Sequence, residues 1–481
     1  MDTATLWAIA DWRCSPDQVK TYLKRSKDSL IKVKYDSISM TCLRNRDSKN
    51  LWWEDSPILE HMARWGDVEL ALDFEAELEG LCGLAAPELR KLAIDYRSGP
   101  LSKPVHLFEG NTPKLRTMDL RGVHLHWEWD AAMIANLRSL ALQGVQISKA
   151  STQSFLSVVR SAPMLEELIL RNLQLDSDAN LRPASPSNLN LHSLKELCIT
   201  DVSYDIFRYF FGTIRAPNVK KVALDLPSFW NVEGWSKLLL GCLDNALLKL
   251  VGEARRLELY FDHRTFQMSG IPDVGPPSLF RLEWESLRLP LEAVEWVLKN
   301  ILVYRKWPTL TVRFSGCMET YIQNILPSLF WLEDVTAVEL ELDVPFEYSP
   351  DHSFLSCRSV SVTDRPAAGK QWLWPNLTTV TINGQGWVGA GDYMLSIVNS
   401  RRQASSDPND LNSIGVSRKV VPIQRVRIKD LSKLSESAAE QLQSLVPDIQ
   451  LPSPEQLITA SPTPNSGELN VFQRILDLLS G

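Results

Sequence analysis

Two short stretches of this 481-residue chain carry residue types whose spacing could do chemistry. The first, GQGWVG (Gly384–Gly389), fits the pattern Gly-x-Gly-x-x-Gly. It follows the alternating stretch LTTVTI and precedes DYMLSIVNSRR, which has helical spacing. In that setting backbone N–H groups at a helix start could cradle the pyrophosphate of a dinucleotide. The chain would then be a nucleotide-binding enzyme, the alternative reading of its function. The motif stands alone, without a second nucleotide-binding half, and its first reading is a flexible turn. The second stretch, HLHWEWD, puts His124, His126, Glu128 and Asp130 at alternate positions. On an extended strand these would share a face and could ligate a metal. The plainer reading is a solvated loop in which Asp130 caps a helix starting at Ala131. No Gly-x-Ser-x-Gly, P-loop, His-Glu-x-x-His or EF-hand pattern occurs. The expectation is a protein that is not an enzyme and holds no metal or cofactor.

The elements that must position these residues come from a recurring frame, Leu-x-x-φ-x-φ-x-x-φ-x-φ, where φ is apolar. Full copies are Leu115–Leu125, Leu137–Ile147, Leu165–Leu175, Leu194–Tyr204 and Leu279–Leu289. Shortened copies begin at Leu89, Val219, Ala254, Trp307, Val335, Cys357, Leu377 and Ile423. About thirteen strand cores result, above the ~3 repeats a stable stack requires. Side chains alternate faces along a strand, so Met118 and Leu120 point inward while Thr117, Asp119 and Arg121 point out. Between strands lie stretches of helical periodicity, such as Thr152–Pro163, Leu291–Tyr304 and Glu319–Phe330. The predicted fold class is α/β: a leucine-rich-repeat solenoid with a curved parallel sheet on the concave side and helices on the convex side. Its repeats should be irregular. The ninth frame position, often Asn in such repeats, is Val123, Val145, Leu173, Val202 and Leu287, so other groups must satisfy the turns.

Residues 1–85 lack the frame and read as a helical capping region. In it, Pro16–Ser26 and Ser56–Phe74 show helical spacing and Leu30–Ser37 a short strand. The solenoid spans 86–451, with a polar loop insertion at 400–420. Residues 452–481 form a Pro/Ser-rich tether and an amphipathic helix.

Net charge is −7, from 58 acidic and 51 basic residues, and no Lys/Arg block stands out. That argues against a non-specific nucleic-acid binder, and no nucleic-acid partner is expected. The seven scattered cysteines form no Cys-x-x-Cys pair, which argues against zinc and against a disulfide framework. The N-terminus has no secretory signal and no apolar run is long enough to span a bilayer, so no membrane role is expected. A cytoplasmic or nuclear location follows. The 16 tryptophans, several of them paired (Trp52 and Trp53, Trp127 and Trp129, Trp372 and Trp374), read mainly as gap fillers in an irregular stack.

With these residues in view, the array resembles the repeat region of fungal F-box-like leucine-rich-repeat proteins. Leu6-Trp7, Ser15–Asp36 and His61–Leu70 are similar to the segment that follows the F-box in that family. The resemblance implies that the repeats hold a substrate while an F-box docks an adaptor of a cullin-based ubiquitin ligase. No F-box precedes Leu6-Trp7 in this sequence, so the adaptor is a partner only if one is joined upstream.

Function should then reside in the outward strand positions. These are Thr117, Asp119 and Arg121; Ser139, Ala141 and Gln143; Glu167, Ile169 and Arg171; Glu196, Cys198 and Thr200; Arg256, Glu258 and Tyr260; Arg281, Glu283 and Glu285. The middle row is small or apolar at Ala141, Ile169 and Cys198, then acidic at Glu258 and Glu283. A protein partner is expected to lie across it, making the chain an interaction scaffold.

Overall fold

A computed structural model gives the architecture. It describes residues 4–11, 14–37, 57–79, 81–82, 85–98, 107–123, 134–147, 157–175, 189–202, 207, 210, 213–226, 246–262, 265–274, 277–285, 307–315, 334–343, 376–384, 395, 398–399, 401–402, 405, 421–429 and 436–451. Among the described residues the protein is mixed α/β, with extensive, mostly parallel sheet, few helices and no closed barrel. Two compact units divide it, Met1–Leu247 and Leu248–Gly481.

In the first unit, strands β1 (Ile9–Asp11), β2 (Ile31–Asp36), β3 (Trp65–Leu72), β4 (Lys91–Tyr96), β5 (Thr117–Arg121) and β6 (Ser139–Gln143) pair in chain order, all parallel. After β7 (Gln146–Ile147), the order continues through β8 (Glu167–Arg171). Past β9 (Gln174–Leu175) and β10 (Leu189–Asn190), it runs on through β11 (Glu196–Thr200). Beyond β12 (Ile214–Arg215), it closes with β13 (Lys221–Leu226). Two-residue ladders β7–β9 and β10–β12 lie beside this sheet.

The frame explains the packing. Its first Leu and its two strand apolars are buried in each full copy of this unit, as with Leu115, Met118 and Leu120. Burying each such side chain stabilises by about 1.5–3 kcal/mol. The residue before each strand accepts two backbone bonds from the next repeat. The Arg90 carbonyl accepts from Arg116 N (2.8 Å) and Thr117 N (3.1 Å), and Arg116, Arg138, Glu166 and Lys195 repeat the arrangement.

The turn problem left by the absent Asn ladder is solved one position earlier, at the eighth. There Gly122, Gly144, Asn172 and Asp201 have positive φ. The N–H groups of the first three donate to Gln143, Arg171 and Thr200 carbonyls of the neighbouring strand at 2.8, 2.9 and 3.0 Å. Gly, Asn and Asp are the residues that tolerate this conformation. At Gly122 a side chain is also sterically barred, because a Cβ would lie 2.2 Å from the Tyr96 carbonyl oxygen.

The N-terminal segment departs from expectation. Helix Pro16–Ser26 forms as predicted, started by a capping box in which Gln18 N donates to Ser15 Oγ and Ser15 N donates to Gln18 Oε1. Ser56–Phe74, predicted helical, instead holds a 3-10 segment, Leu59–Arg64, followed by β3. The deciding signal is period two: Val68, Leu70 and Leu72 are buried while Asp67, Glu69 and Ala71 are half-buried. β1 to β3 therefore extend the same parallel sheet through residues that lack the frame.

The second unit contains β14 (Arg256–Asp262), β15 (Thr265–Ile271), β16 (Phe280–Glu285), β17 (Thr309–Ser315), β18 (Ala337–Asp343), β19 (Thr379–Gly384), β20 (Arg425–Lys429) and β21 (Asp448–Gln450). Its order is β16-β15-β14-β17-β18-β19-β20-β21. β15 runs antiparallel to both neighbours, correcting the expectation of parallel strands throughout. Its tight return stacks Phe261 on Phe266, with ring centroids 4.9 Å apart.

The described residues include the helices Ala246–Glu253 and Glu436–Leu445. A convex helical layer is not evident: Leu291–Tyr304 and Glu319–Phe330 lie outside the described residues, as do the predicted strand at 357–362 and the segment 452–481. Arg401, at the start of the polar stretch, is helical and fully buried. It donates to the Val421 and Leu377 carbonyls, and burial lowers its pKa to about 10.

Candidate functional site: the open face of the first sheet

Parallel pairing without slippage from β4 to β11 places equal frame positions side by side, so outward side chains line up in rows across the strands. One row runs Lys91, Thr117, Ser139, Glu167 and Glu196. The middle row runs Ala93, Asp119, Ala141, Ile169, Cys198 and Ala223. The third runs Asp95, Arg121, Gln143, Arg171 and Thr200. Most of these side chains are half-buried or exposed, while the intervening ones are core. The structure thus brings together every predicted site residue from Thr117 to Thr200.

The predicted residues of the second unit align differently. Antiparallel β15 separates β14 from β16, so Glu258 lies opposite Ser269, which lies opposite Arg281. Tyr260, Gln267 and Glu283 form the adjacent row. Glu258 and Glu283 do not share the acidic middle row expected of them. Arg256 instead ties three strands, donating to Thr311 Oγ1 (3.1 Å) and Glu339 Oε2 (3.0 Å). Backbone pairing puts Glu285 opposite Thr265.

Back in the first unit, the face changes character along the stack. At β1 to β5 it is a lattice of ion pairs around a cavity of about 430 Å³ lined by Asp11, Lys34, Glu69, Lys91, Asp119 and Arg121 among others. Three lysines converge on Glu69: Lys34 at 3.1 Å, Lys32 at 3.2 Å and Lys91 at 3.3 Å. Partial burial pushes the Glu69 pKa up, but hydrogen bonds from these lysines outweigh it and hold the group at about 2. Arg97 bridges Asp95 (2.9 Å) and Asp36 (3.5 Å), and Arg121 pairs with Asp119 (3.2 Å). Beneath this region the Tyr35 hydroxyl donates to buried Glu77 at 2.6 Å, and burial raises the Glu77 pKa.

Lys32, Lys34, Glu69, Lys91 and Asp95 were not among the predicted site residues. The signal was present: IKVKYD, DVELAL and KLAIDY each alternate charged or small with apolar residues. Reading Ser56–Phe74 as helical hid β3, and with it the row that aligns the outward residues of the expected strands at Leu30–Ser37 and Leu89.

From β6 to β13 the middle row is apolar. Cys198 is nearly buried, which raises its thiol pKa, and Arg171 Nη2 lies 3.9 Å from its sulfur. Ser139 donates to Glu167 at 2.6 Å, and Lys221 pairs with Glu196.

Among the described residues no group of three His, Cys, Asp or Glu side chains is placed to hold a metal, and no helix is long and apolar enough to cross a membrane. His124 to Asp130, Gln385 to Gly389 and the paired tryptophans lie outside those residues. No protein-family model matches this chain, and no curated protein matches it in sequence.

Proposed function

We propose that the chain is a protein-interaction scaffold of leucine-rich-repeat type, which holds a protein partner on the open face of its first sheet. The observation that carries this reading is the in-register alignment of outward side chains from β4 to β13, half-exposed and chemically graded from ion-paired to apolar. Such a surface offers hydrogen bonds, charge and apolar area together, the mixture that protein interfaces use. Joined to an F-box, the scaffold would act as the substrate-recognition subunit of a cullin-based ubiquitin ligase. Co-purification of a cullin adaptor with the full-length protein tests that extension.

The scaffold itself is tested by affinity capture and mass spectrometry with the full chain. Reversing Arg121 and Arg171 together to Glu should weaken partner capture about tenfold or more, since two interfacial charges change sign. Unaltered capture by a folded double variant would remove this face from consideration.

A further inference from the structure

On β8 the outward side chains are Glu167, Ile169 and Arg171, one beside the next on the same face. Several charges elsewhere on the face meet opposite charges, as Lys221 meets Glu196 and Arg121 meets Asp119. Among the described residues Glu167 receives the Ser139 hydroxyl and Arg171 faces the Cys198 sulfur. Neither has an ionic partner among the described residues. Between them runs the apolar strip Ala141, Ile169, Cys198 and Ala223.

The dimensions of this arrangement select a shape. Outward residues on one strand are about 7 Å apart, so the charges stand about 14 Å apart with the strip midway. An α-helix with its side chains is about 10–12 Å across and fits between them. The strip crosses β6, β8, β11 and β13, about 14 Å at ~4.8 Å per strand. That is close to three helical turns of about 5.4 Å each. An extended segment laid across the strands would be too narrow to reach both charges.

We infer that this part of the face docks an amphipathic helix of a partner protein. Resting on the scaffold reading, the inference names the partner's chemistry. The helix carries apolar residues at i, i+3 or i+4, and i+7 along the strip, a Lys or Arg on the flank facing Glu167, and an Asp or Glu on the flank facing Arg171. The two opposite charges also fix the direction in which the helix lies, because reversing it would set like charges together.

The test uses the full-length chain and three synthetic helical peptides with the same leucine stripe. One has a lysine flank and a glutamate flank, one has lysine on both flanks, and one has the mixed flanks with the leucines changed to glutamine. Binding is read by fluorescence anisotropy. The mixed-flank peptide should bind about tenfold tighter than the all-lysine peptide, and the glutamine peptide should not bind. Arg171→Glu should invert the preference in favour of the all-lysine peptide. Ile169→Asp should abolish binding, and Ile169→Thr, which keeps a strand-favouring side chain, should weaken it severalfold. No binding of the mixed peptide, or binding indifferent to Arg171→Glu and Ile169→Thr, overturns the inference. If partner capture still depends on Arg121 and Arg171 in that case, the scaffold reading stands without the helix; if capture is also insensitive, both fall.

Discussion

The two units contain the same kind of strand and differ in how one turn is made. In the first, β5, β6, β8 and β11 are each followed directly by a left-handed residue, and the chain leaves the sheet to return parallel. Equal frame positions stay aligned, and the outward residues form continuous rows. In the second, the chain folds straight back from β14 into β15 and again into β16. A single antiparallel strand is enough to shift the rows, so that Glu258 meets Ser269 and Arg281 rather than Glu283. The pattern of side chains on the face of these sheets is thus set by turn geometry as much as by the residues on the strands.

The turn residues are where this contrast can be broken. Gly122 and Gly144 both have positive φ, 67° and 62°, but only Gly122 is hemmed in, with a built Cβ 2.2 Å from the Tyr96 oxygen against a nearest approach of 3.7 Å at Gly144. Gly122→Ala should destabilise the first unit by about 3 kcal/mol and Gly144→Ala by about 1 kcal/mol, the second through backbone strain alone. Urea denaturation of the two variants decides it, and equal losses would show that the close approach to β4 does not matter. In the second unit, Gly270 lets the antiparallel return close, since a Cβ there would lie 2.1 Å from Phe280 Cε1. Gly270→Ala should cost about 2 kcal/mol by overpacking. Combining it with Phe280→Leu should cost less than the sum of the single changes, because the ring is what the methyl group strikes.

The framed strands from β4 onward were legible because the frame repeats both alternation and spacing. The rows of Thr117 to Thr200 followed from it, since parallel strands preserve position numbers. β3 was not legible as read: Leu59–Arg64 leads directly into Trp65, and the combined stretch imitates a helical period. β15 was missed for another reason. TFQMSGI has no Leu-rich frame, and Ser269 and Gly270 weaken its alternation, so nothing local announced that two framed strands are separated by one running the opposite way. The left-handed turns could have been found in the sequence, because Gly122, Gly144, Asn172 and Asp201 occupy one frame position and share one conformational tolerance.

The smallest effect asks whether aligned rows matter for charge as they do for packing. Glu69 meets lysines from both neighbouring strands because parallel register sets Lys34 on one side of it and Ala93 on the other, with Lys91 two residues before Ala93 on the same face. Its pKa falls from an ordinary 4.5 to about 2. A carboxylate whose folded pKa is depressed contributes stability above its unfolded pKa and loses it as pH falls toward the folded value. The side chain is 30% exposed, and solvent screens the pairs. Glu69→Gln should therefore cost about 1 kcal/mol at neutral pH, far less than the pKa displacement alone would suggest. The gap between wild type and variant should narrow as pH drops from about 4.5 toward 2, and raising salt at pH 7 should shrink it as well. Urea titrations at pH 7 and pH 3 measure this directly. A gap that stayed constant across that window would mean that Glu69 stabilises the sheet by packing its methylenes, and that the row of lysines beside it is electrostatically idle.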